Sequence, residues 1–514
     1  MEMQIPEMEM QMTNSFTAPG QHLPHSHGAW AASAASPAGN YSSPGLGLGG
    51  YTLKSLCEIT GGRAVGAGEL SFSRPAVDSR TVRTGQLFVA LPGERADGHN
   101  FLQEAFAGGA TVALVGETYA EAAGASLRPP KGRGYCVVPD TLRALQQLSR
   151  AHLQQFPLLR RIAVTGSNGK TTTKELIASV LSQNAPTFAT AGNYNSEIGV
   201  PLAIFDIQPE QRFGVFEVAM NRPGEIAVLA ELVQPEIALI TNIGSAHVGN
   251  LGDLQRIAEE KRQVFSCFNG EQAGFVYEDE RFYSFLTDGL HGEVHSFGPR
   301  SIEGFEGFEL QGLTGSIISY QGLDIRLPLP GAFNVRNALA AVAIAVYLGL
   351  DPEQIRAGLE RVPAMFGRGE ILHGPVTVLR DCYNANPDSV REALDFVAGL
   401  DWSGRRVVVL GSMKELGDET ASAHAKICAA ARAMRPDALF LVGEEFAEAY
   451  AEACAETYAE GDVKPHHATT TAGIEASLSQ YLREGDFVLL KGSRSMALED
   501  LTSIFTQERR KGSS

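Results

Sequence analysis

The chain has few cysteines, and none stands in a Cys-x-x-Cys pair. The six (Cys57, Cys136, Cys267, Cys382, Cys428, Cys454) are scattered widely. That spacing excludes a zinc knuckle and a disulfide framework, and points to reduced, mostly buried thiols in a cytoplasmic protein. Basic residues are also in deficit: 42 Lys and Arg stand against 59 Asp and Glu, leaving a net charge of −17. An acidic balance of this kind favours solubility and argues against a nucleic-acid surface. Long apolar runs are missing as well. The longest, Ala338 to Leu350, spans about 13 residues, which suits a buried helix and falls short of a membrane span. The start has no basic segment followed by an apolar one, so it does not read as a secretory signal.

What the chain does have is length and apolar content. Its 514 residues, 44% of them hydrophobic, allow sizeable cores; on the usual length scale that is about three domains. Residues 1–50 are rich in Met, Gln, Ser, Gly, Pro and His and predict a disordered extension. His22, His25 and His27 offer metal-binding nitrogens there, but the composition favours a solvated tail.

From Tyr51 to residue 148, short strand-like runs at Leu87–Ala90, Thr111–Val115 and Tyr135–Val138 alternate with helical patterns, predicting a small α/β domain. Residues 149–362 continue with strand–helix units that include Val215–Val218 and Ile237–Thr241, the signature of a doubly wound parallel sheet. Within them, 298–329 is rich in glycine and β-formers and predicts a hairpin insert. Residues 363–514 start again with strands at Val376–Leu379, Val407–Leu410, Ala438–Val442 and Phe487–Lys491, a second parallel layer of Rossmann-like type.

The chemistry is most legible at 164–175, Val-Thr-Gly-Ser-Asn-Gly-Lys-Thr-Thr-Thr-Lys-Glu. An apolar strand enters a glycine turn and leaves as a helix. Gly166 and Gly169 let backbone N–H groups of the Gly166–Thr172 loop, Ser167 and Asn168 among them, approach phosphate oxygens. The helix turns its positive end to the same point. Lys170 reaches the β- and γ-phosphates, and Thr171 offers a hydroxyl to Mg²⁺. The spacing Gly-x-x-Gly-Lys-Thr is two residues shorter than the usual phosphate loop, and the prediction is ATP binding. Glu217 closes a parallel strand beside this loop, the place for a Mg²⁺ ligand. His247 follows the next strand and reads either as a hydrogen-bonded structural histidine or as a second metal or substrate contact. Lys261, on a helical pattern, reads by default as a solvated lysine; an ammonium cannot ligate a metal, and only a covalent change to a carboxylate-like group would bring it to the metal. Asn334 and Asn337 lie three apart on one helical face, for purine contact or for capping. In the last domain, Asp381, Gly411–Gly417 and Lys491–Arg494 each follow a strand at one end of a sheet, where doubly wound folds bind ligands; Asp381 suits a ribose hydroxyl.

These residues resemble the Mur ligase superfamily over nearly all of the chain after residue 51. Val77-Asp78-Ser79-Arg80, Leu87–Gly93 and Asp97-Gly98-His99-Asn100-Phe101 resemble its UDP-sugar-binding domain, and Thr165–Glu175 its ATP loop. Gly192-Asn193-Tyr194-Asn195 and the residues to Pro201 are similar to its next motif. The resemblance is nearest to the branch that joins D-alanyl-D-alanine to UDP-N-acetylmuramoyl-tripeptide with ATP through an acyl phosphate. It implies Glu217 and His247 as Mg²⁺ ligands, Lys261 as a lysine carbamylated by CO₂, and Asn334 and Asn337 on the adenine side. It further implies Arg368 facing phosphate and Asp381 on the ribose. Ser79, Arg80, Gly98, His99, Asn193, Asn195, Asn384, Asn386, Lys491 and Arg494 are implied as substrate contacts. A cytoplasmic monomer with small-molecule substrates, no nucleic acid and no membrane insertion is the expectation. The rivals are another amino-acid ligase of this family and a phosphate-loop ATPase that moves a partner.

Overall fold

The computed structural model describes residues 50–93, 96–246, 248–363, 365–455 and 463–506. The expected extension lies outside them save for Gly50, as do His247 and the side chain of Cys454. Three mixed α/β bodies follow one another, each built on its own sheet.

In the first, Pro75–Ala76, Leu87–Val89, Val112–Gly116 and Gly134–Val138 run parallel, and Arg63–Val65 pairs antiparallel on the last of them. The helix Thr141–Leu153 then leads to the central sheet, where six parallel strands lie in the order Glu293–Phe297, Ala273–Tyr277, Ile237–Ile240, Arg160–Thr165, Phe213–Glu217, Thr187–Ala189. The chain leaves Arg160–Thr165 to one side for two strands and then crosses to the other. The C-terminal end of that strand is therefore the switch point where ligands bind.

Every second side chain of these strands faces the same way, and both faces are apolar. Ile162, Val164, Val215 and Leu239 enter one core; Ala163, Phe216, Ala238 and Ile240 enter the other. The first core holds the phosphate-loop helix Lys170–Leu181 against Ala332–Tyr347. Ala338 to Leu350 is thus a buried helix and its exit, as the apolar run implied.

The expected hairpin insert has three antiparallel strands rather than two: Phe305–Leu310, Ser316–Tyr320 and Leu323–Leu327. Gln321 and Gly322, at φ 47° and 72°, make the two-residue turn between the last pair. Ile318, Tyr320, Ile325 and Leu327 alternate inward and join the central core.

The third sheet runs Glu370–Leu372, Thr377–Asp381, Phe487–Lys491, Arg406–Gly411, Ala438–Val442, His466–Ala468, parallel except for its first strand. The last parallel strand inserts between the first two, which brings Asp381, Lys491 and Gly411 to neighbouring strand ends. The five cysteines among the described residues are free thiols; the sulfurs of Cys57 and Cys136 lie 3.1 Å apart.

Candidate active site

The phosphate loop sits between the strand Arg160–Thr165 and the helix Lys170–Leu181, and its shape requires glycine. Gly166 has φ 145° and Gly169 has φ 76°. A Cβ at Gly166 would overlap the Thr241 hydroxyl, and one at Gly169 would lie 2.5 Å from Asn337 Oδ1. Neighbouring side chains hold the loop. Asn168 N–H donates to Asn242 Oδ1 at 2.9 Å, the Thr241 hydroxyl donates to Asn168 O at 2.6 Å, and Ser167 Oγ donates to Gly244 O at 3.0 Å. Lys170 Nζ folds onto the loop carbonyls of Gly166 and Ser167 at 2.8 and 3.1 Å. Burial lowers the Lys170 ammonium to about 8; Glu217 opposes that shift and Arg368 adds to it.

Glu217 ends its strand only 1% exposed. Its carboxylate accepts from Thr171 Oγ1 at 2.7 Å and from Asn195 Nδ2 at 2.8 Å, and its own N–H donates to Thr190 Oγ1 at 3.0 Å. Lys174 was not singled out from the sequence, yet it is fully buried here. Its Nζ donates to Thr190 O at 2.5 Å and lies 3.0 Å from Glu175 and 3.9 Å from Glu217. A buried ammonium persists only when paired in this way. The available signal was its place one helical turn after Lys170, on the same side of the helix.

Lys261 overturns its default reading. It is 1% exposed and not on a solvated face. Burial, and then the like charge of Lys170, hold its ammonium well below the usual lysine range. Its neighbour Glu260 is engaged elsewhere, accepting from Gly224 N–H at 2.8 Å and Ile226 N–H at 3.3 Å at a helix start.

A cleft of about 370 Å³ opens where the central and C-terminal sheets meet. The central body lines it with Ser167, Asn168, Gly169, Lys170, Thr172, Asn195, Glu217, Asn334 and Asn337; the C-terminal side adds Arg368, Asp381, Asn384, Asn386, Lys491 and Arg494. Thr171 lies buried beneath the loop. Asn334 does not cap its helix, a place taken by Gly331. It donates to Pro330 O at 2.8 Å and accepts from Asn337 Nδ2 at 3.2 Å. Arg368 stands between Gly367 (φ 64°) and Gly369 (φ 73°), with its guanidinium carbon 3.9 Å from the centre of the Tyr383 ring. Lys491 is nearly buried, paired with Asp381 at 2.9 Å and donating to Asn384 O at 2.8 Å.

The remaining expected contacts lie elsewhere. Asn193 is exposed outside the cleft. Ser79, Arg80, Gly98 and His99 belong to the first body. His99 Nε2 accepts from Gly116 N–H at 2.9 Å, so the proton is on Nδ1, which donates to Asp97 at 2.5 Å; the ring stacks on Tyr119. Ser79 donates to Glu104 at 2.9 Å, and Arg80 is exposed against Asp78.

The donors fit a hard cation bound with phosphate. Among the described residues no three His, Cys, Asp or Glu side chains cluster as a metal site. Glu217 and Thr171 would supply two oxygens, and Mg²⁺ commonly completes its shell with phosphate and water.

Residues 76–153 match the Mur ligase family catalytic domain, 164–345 the Mur ligase middle domain, and 367–494 the Mur ligase glutamate ligase domain. The UDP-N-acetylmuramoyl-tripeptide–D-alanyl-D-alanine ligase of Treponema pallidum is 41% identical over 459 residues, covering 88% of this chain and 96% of that one. The crystal structure of MurF from Acinetobacter baumannii aligns with TM-score 0.78 at 32% identity, over 88% of this chain and 98% of the other. The MurF ligase of Thermotoga maritima, solved in complex with ADP, aligns with TM-score 0.69 at 26% identity, over 84% and 96% of the two chains.

Proposed function

This chain belongs to the Mur ligase family, and on that premise we propose that it spends ATP to join D-alanyl-D-alanine to the terminal carboxylate of UDP-N-acetylmuramoyl-tripeptide. The product is the pentapeptide precursor of peptidoglycan. The observation that carries this reading is the convergence of the phosphate loop, Glu217 and Arg368 on one cleft between two sheets.

A free carboxylate does not react with an amine until one of its oxygens becomes a leaving group. An oxygen of the tripeptide carboxylate attacks the γ-phosphorus, and the bond from that phosphorus to ADP breaks. The dipeptide amine attacks the acyl phosphate carbonyl to give a tetrahedral intermediate. Inorganic phosphate departs with the carbon–oxygen bond electrons, and the amine gives up a proton. Lys170 and Arg368 face the charge that develops on the transferring phosphoryl group. Thr171, Glu217 and His247 would hold Mg²⁺, which supplies Lewis-acid neutralisation of phosphate oxygens when bound. Asn334 and Asn337 lie on the adenine side and Asp381 on the ribose. Ser79, Arg80, Gly98 and His99 belong to the domain that takes the UDP end, and Asn193, Asn195, Asn384, Lys491 and Arg494 are assigned to the peptide substrates.

We read Lys261 as a carbamate former. Its burial beside the phosphate loop supports this, since the neutral amine is the form that adds to CO₂, and the added carboxylate would face the metal. The domain limits are taken as 51–148, 149–362 and 363–514. A cytoplasmic monomer is the working assignment; the thiols described are free, in keeping with a reducing compartment.

The deciding experiment supplies ATP, UDP-N-acetylmuramoyl-tripeptide and a panel of amines, with product mass as the readout. Phosphate release that requires both the tripeptide and D-alanyl-D-alanine is the expected result. Release stimulated by a protein or nucleic acid alone would favour a switch ATPase, and a product with a single amino acid would favour another ligase of the family.

A further inference from the structure

The helix Pro387–Ala398 of the C-terminal body starts at Asn386, whose side chain is buried and used at both ends. Its Oδ1 accepts from Ser389 N–H at 2.9 Å, capping the helix, while Nδ2 donates to Asn168 Oδ1 at 2.7 Å. Asn168 is in the phosphate loop of the central body. Two residues further on, Asp388 Oδ2 accepts from Ser245 N–H at 2.7 Å and from Ser245 Oγ at 2.8 Å. Ser245 follows Gly244, whose N–H donates to Ser167 Oγ at 2.8 Å and whose carbonyl accepts from the same hydroxyl at 3.0 Å. One helical turn thus reaches the phosphate loop twice, directly at Asn168 and through the 244–245 turn at Ser167. The central and C-terminal bodies touch again a little further along: Gly249 N–H donates to Glu415 O at 2.9 Å, and a Cβ at Gly249 would overlap the Gly417 backbone.

We propose that Asn386, supported by Asp388, is a positioning residue for ATP: a latch through which the docked C-terminal body holds the phosphate loop in the shape that receives the triphosphate. This deepens the ligase reading and rests on it. The physical reason lies in the loop itself. A glycine-rich turn binds phosphate well only when its N–H groups are already aimed, and ordering it on binding costs affinity. The contact to Asn168, and the one to Ser245 beside the turn that holds Ser167, both come from a helix of the C-terminal body, so the aim of the loop depends on that body being docked. This also gives Asn386 a different task from the peptide contact that the resemblance implied.

Serine caps a helix as well as asparagine does, but it is too short to reach Asn168. Asn386→Ser therefore separates the latch from the cap, and Asn386→Ala removes both. The expected result for Asn386→Ser is a wild-type melting temperature and unchanged KM for the UDP-tripeptide and for D-alanyl-D-alanine. Its KM for ATP rises about five- to tenfold, as for the loss of one buried hydrogen bond. Ser245→Ala, which leaves the helix untouched, raises the same KM by a smaller factor. An unchanged KM for ATP in Asn386→Ser, or a rise confined to the dipeptide, would overturn the latch. A wild-type enzyme that forms no product from these three substrates would instead overturn the ligase reading.

Discussion

The Thr171 hydroxyl donates to Glu217 Oε2 at 2.7 Å, so the two described oxygens assigned to Mg²⁺ are bonded to each other. Glu217 is also held by Asn195 from a third segment and neighboured by the buried ammonium of Lys174. For the proposed cation the proton of the Thr171 hydroxyl would turn away from Glu217, whose carboxylate Asn195 holds by its other oxygen.

Glu217→Gln keeps the shape of that side chain and removes its charge. Turnover is expected to fall at least about a hundredfold, in line with the loss of a preorganised electrostatic group. The Mg²⁺ concentration giving half-maximal rate should rise. Initial rates across a Mg²⁺ titration check both, and an unchanged Mg²⁺ requirement would remove Glu217 from the metal.

Lys170 should reveal itself through protons. With its ammonium lowered to about 8, the free enzyme is part-deprotonated at pH 8.5, and a bound polyphosphate favours the charged form. ATP binding at pH 8.5 should therefore take up protons, and at pH 6.5 Lys170 should contribute almost none. Calorimetry in buffers of different ionisation enthalpy measures this directly. Lys170→Ala should abolish ligation and the Lys170 share of the uptake while leaving affinity for the UDP-tripeptide within about twofold, if the UDP end binds on the first domain as proposed.

Lys261→Ala should be a weak enzyme that small carboxylates partly restore, because they can supply the anion a carbamate would present. Rates in acetate and formate series test it. Absence of any rescue, together with no CO₂ dependence of the wild-type rate, would leave Lys261 an uncharged buried amine.

Acid stability should depend on the seam between the first and central bodies. Tyr51 OH lies 2.8 Å from His152 Nδ1, and the His152 ring stacks on Phe205 at 4.4 Å between centres. Burial lowers His152 from 6.5 to about 4. A histidine depressed in the folded state stabilises fully above pH 6.5, and that contribution is lost as pH falls toward 4. The loss is on the order of 2–3 kcal/mol before solvent relaxation. Between pH 6.5 and 4 the melting temperature of the wild type should drop more steeply than that of His152→Gln. Parallel curves would refute the assignment.

Much of this was readable in the residues. The phosphate loop is local: Gly166, Gly169, Lys170 and Thr171 lie within six residues, and the backbone they need follows from their own φ preferences. The strands at 87, 112, 134, 160, 213, 237, 406, 438 and 487 came through because residues buried on both faces leave continuous apolar runs. The burial of Lys261 was not legible locally, and only the resemblance singled that residue out, since helical periodicity cannot distinguish a solvated lysine from one that a neighbouring segment covers. Lys174 and the Asn386–Asn168 bond were missed for the same reason. Their partners are 16 and 218 positions away, and no local pattern records a long-range cover.

The order of amino acids by itself settled that a nucleotide-phosphate loop stands at a strand-to-helix junction in a three-part α/β chain, because propensity, glycine conformation and side-chain alternation act over a few residues. Folding decided which charges lose their water and which polar groups face one another across two sheets. Those outcomes depend on what packs on top, and that is a property of the whole assembled chain.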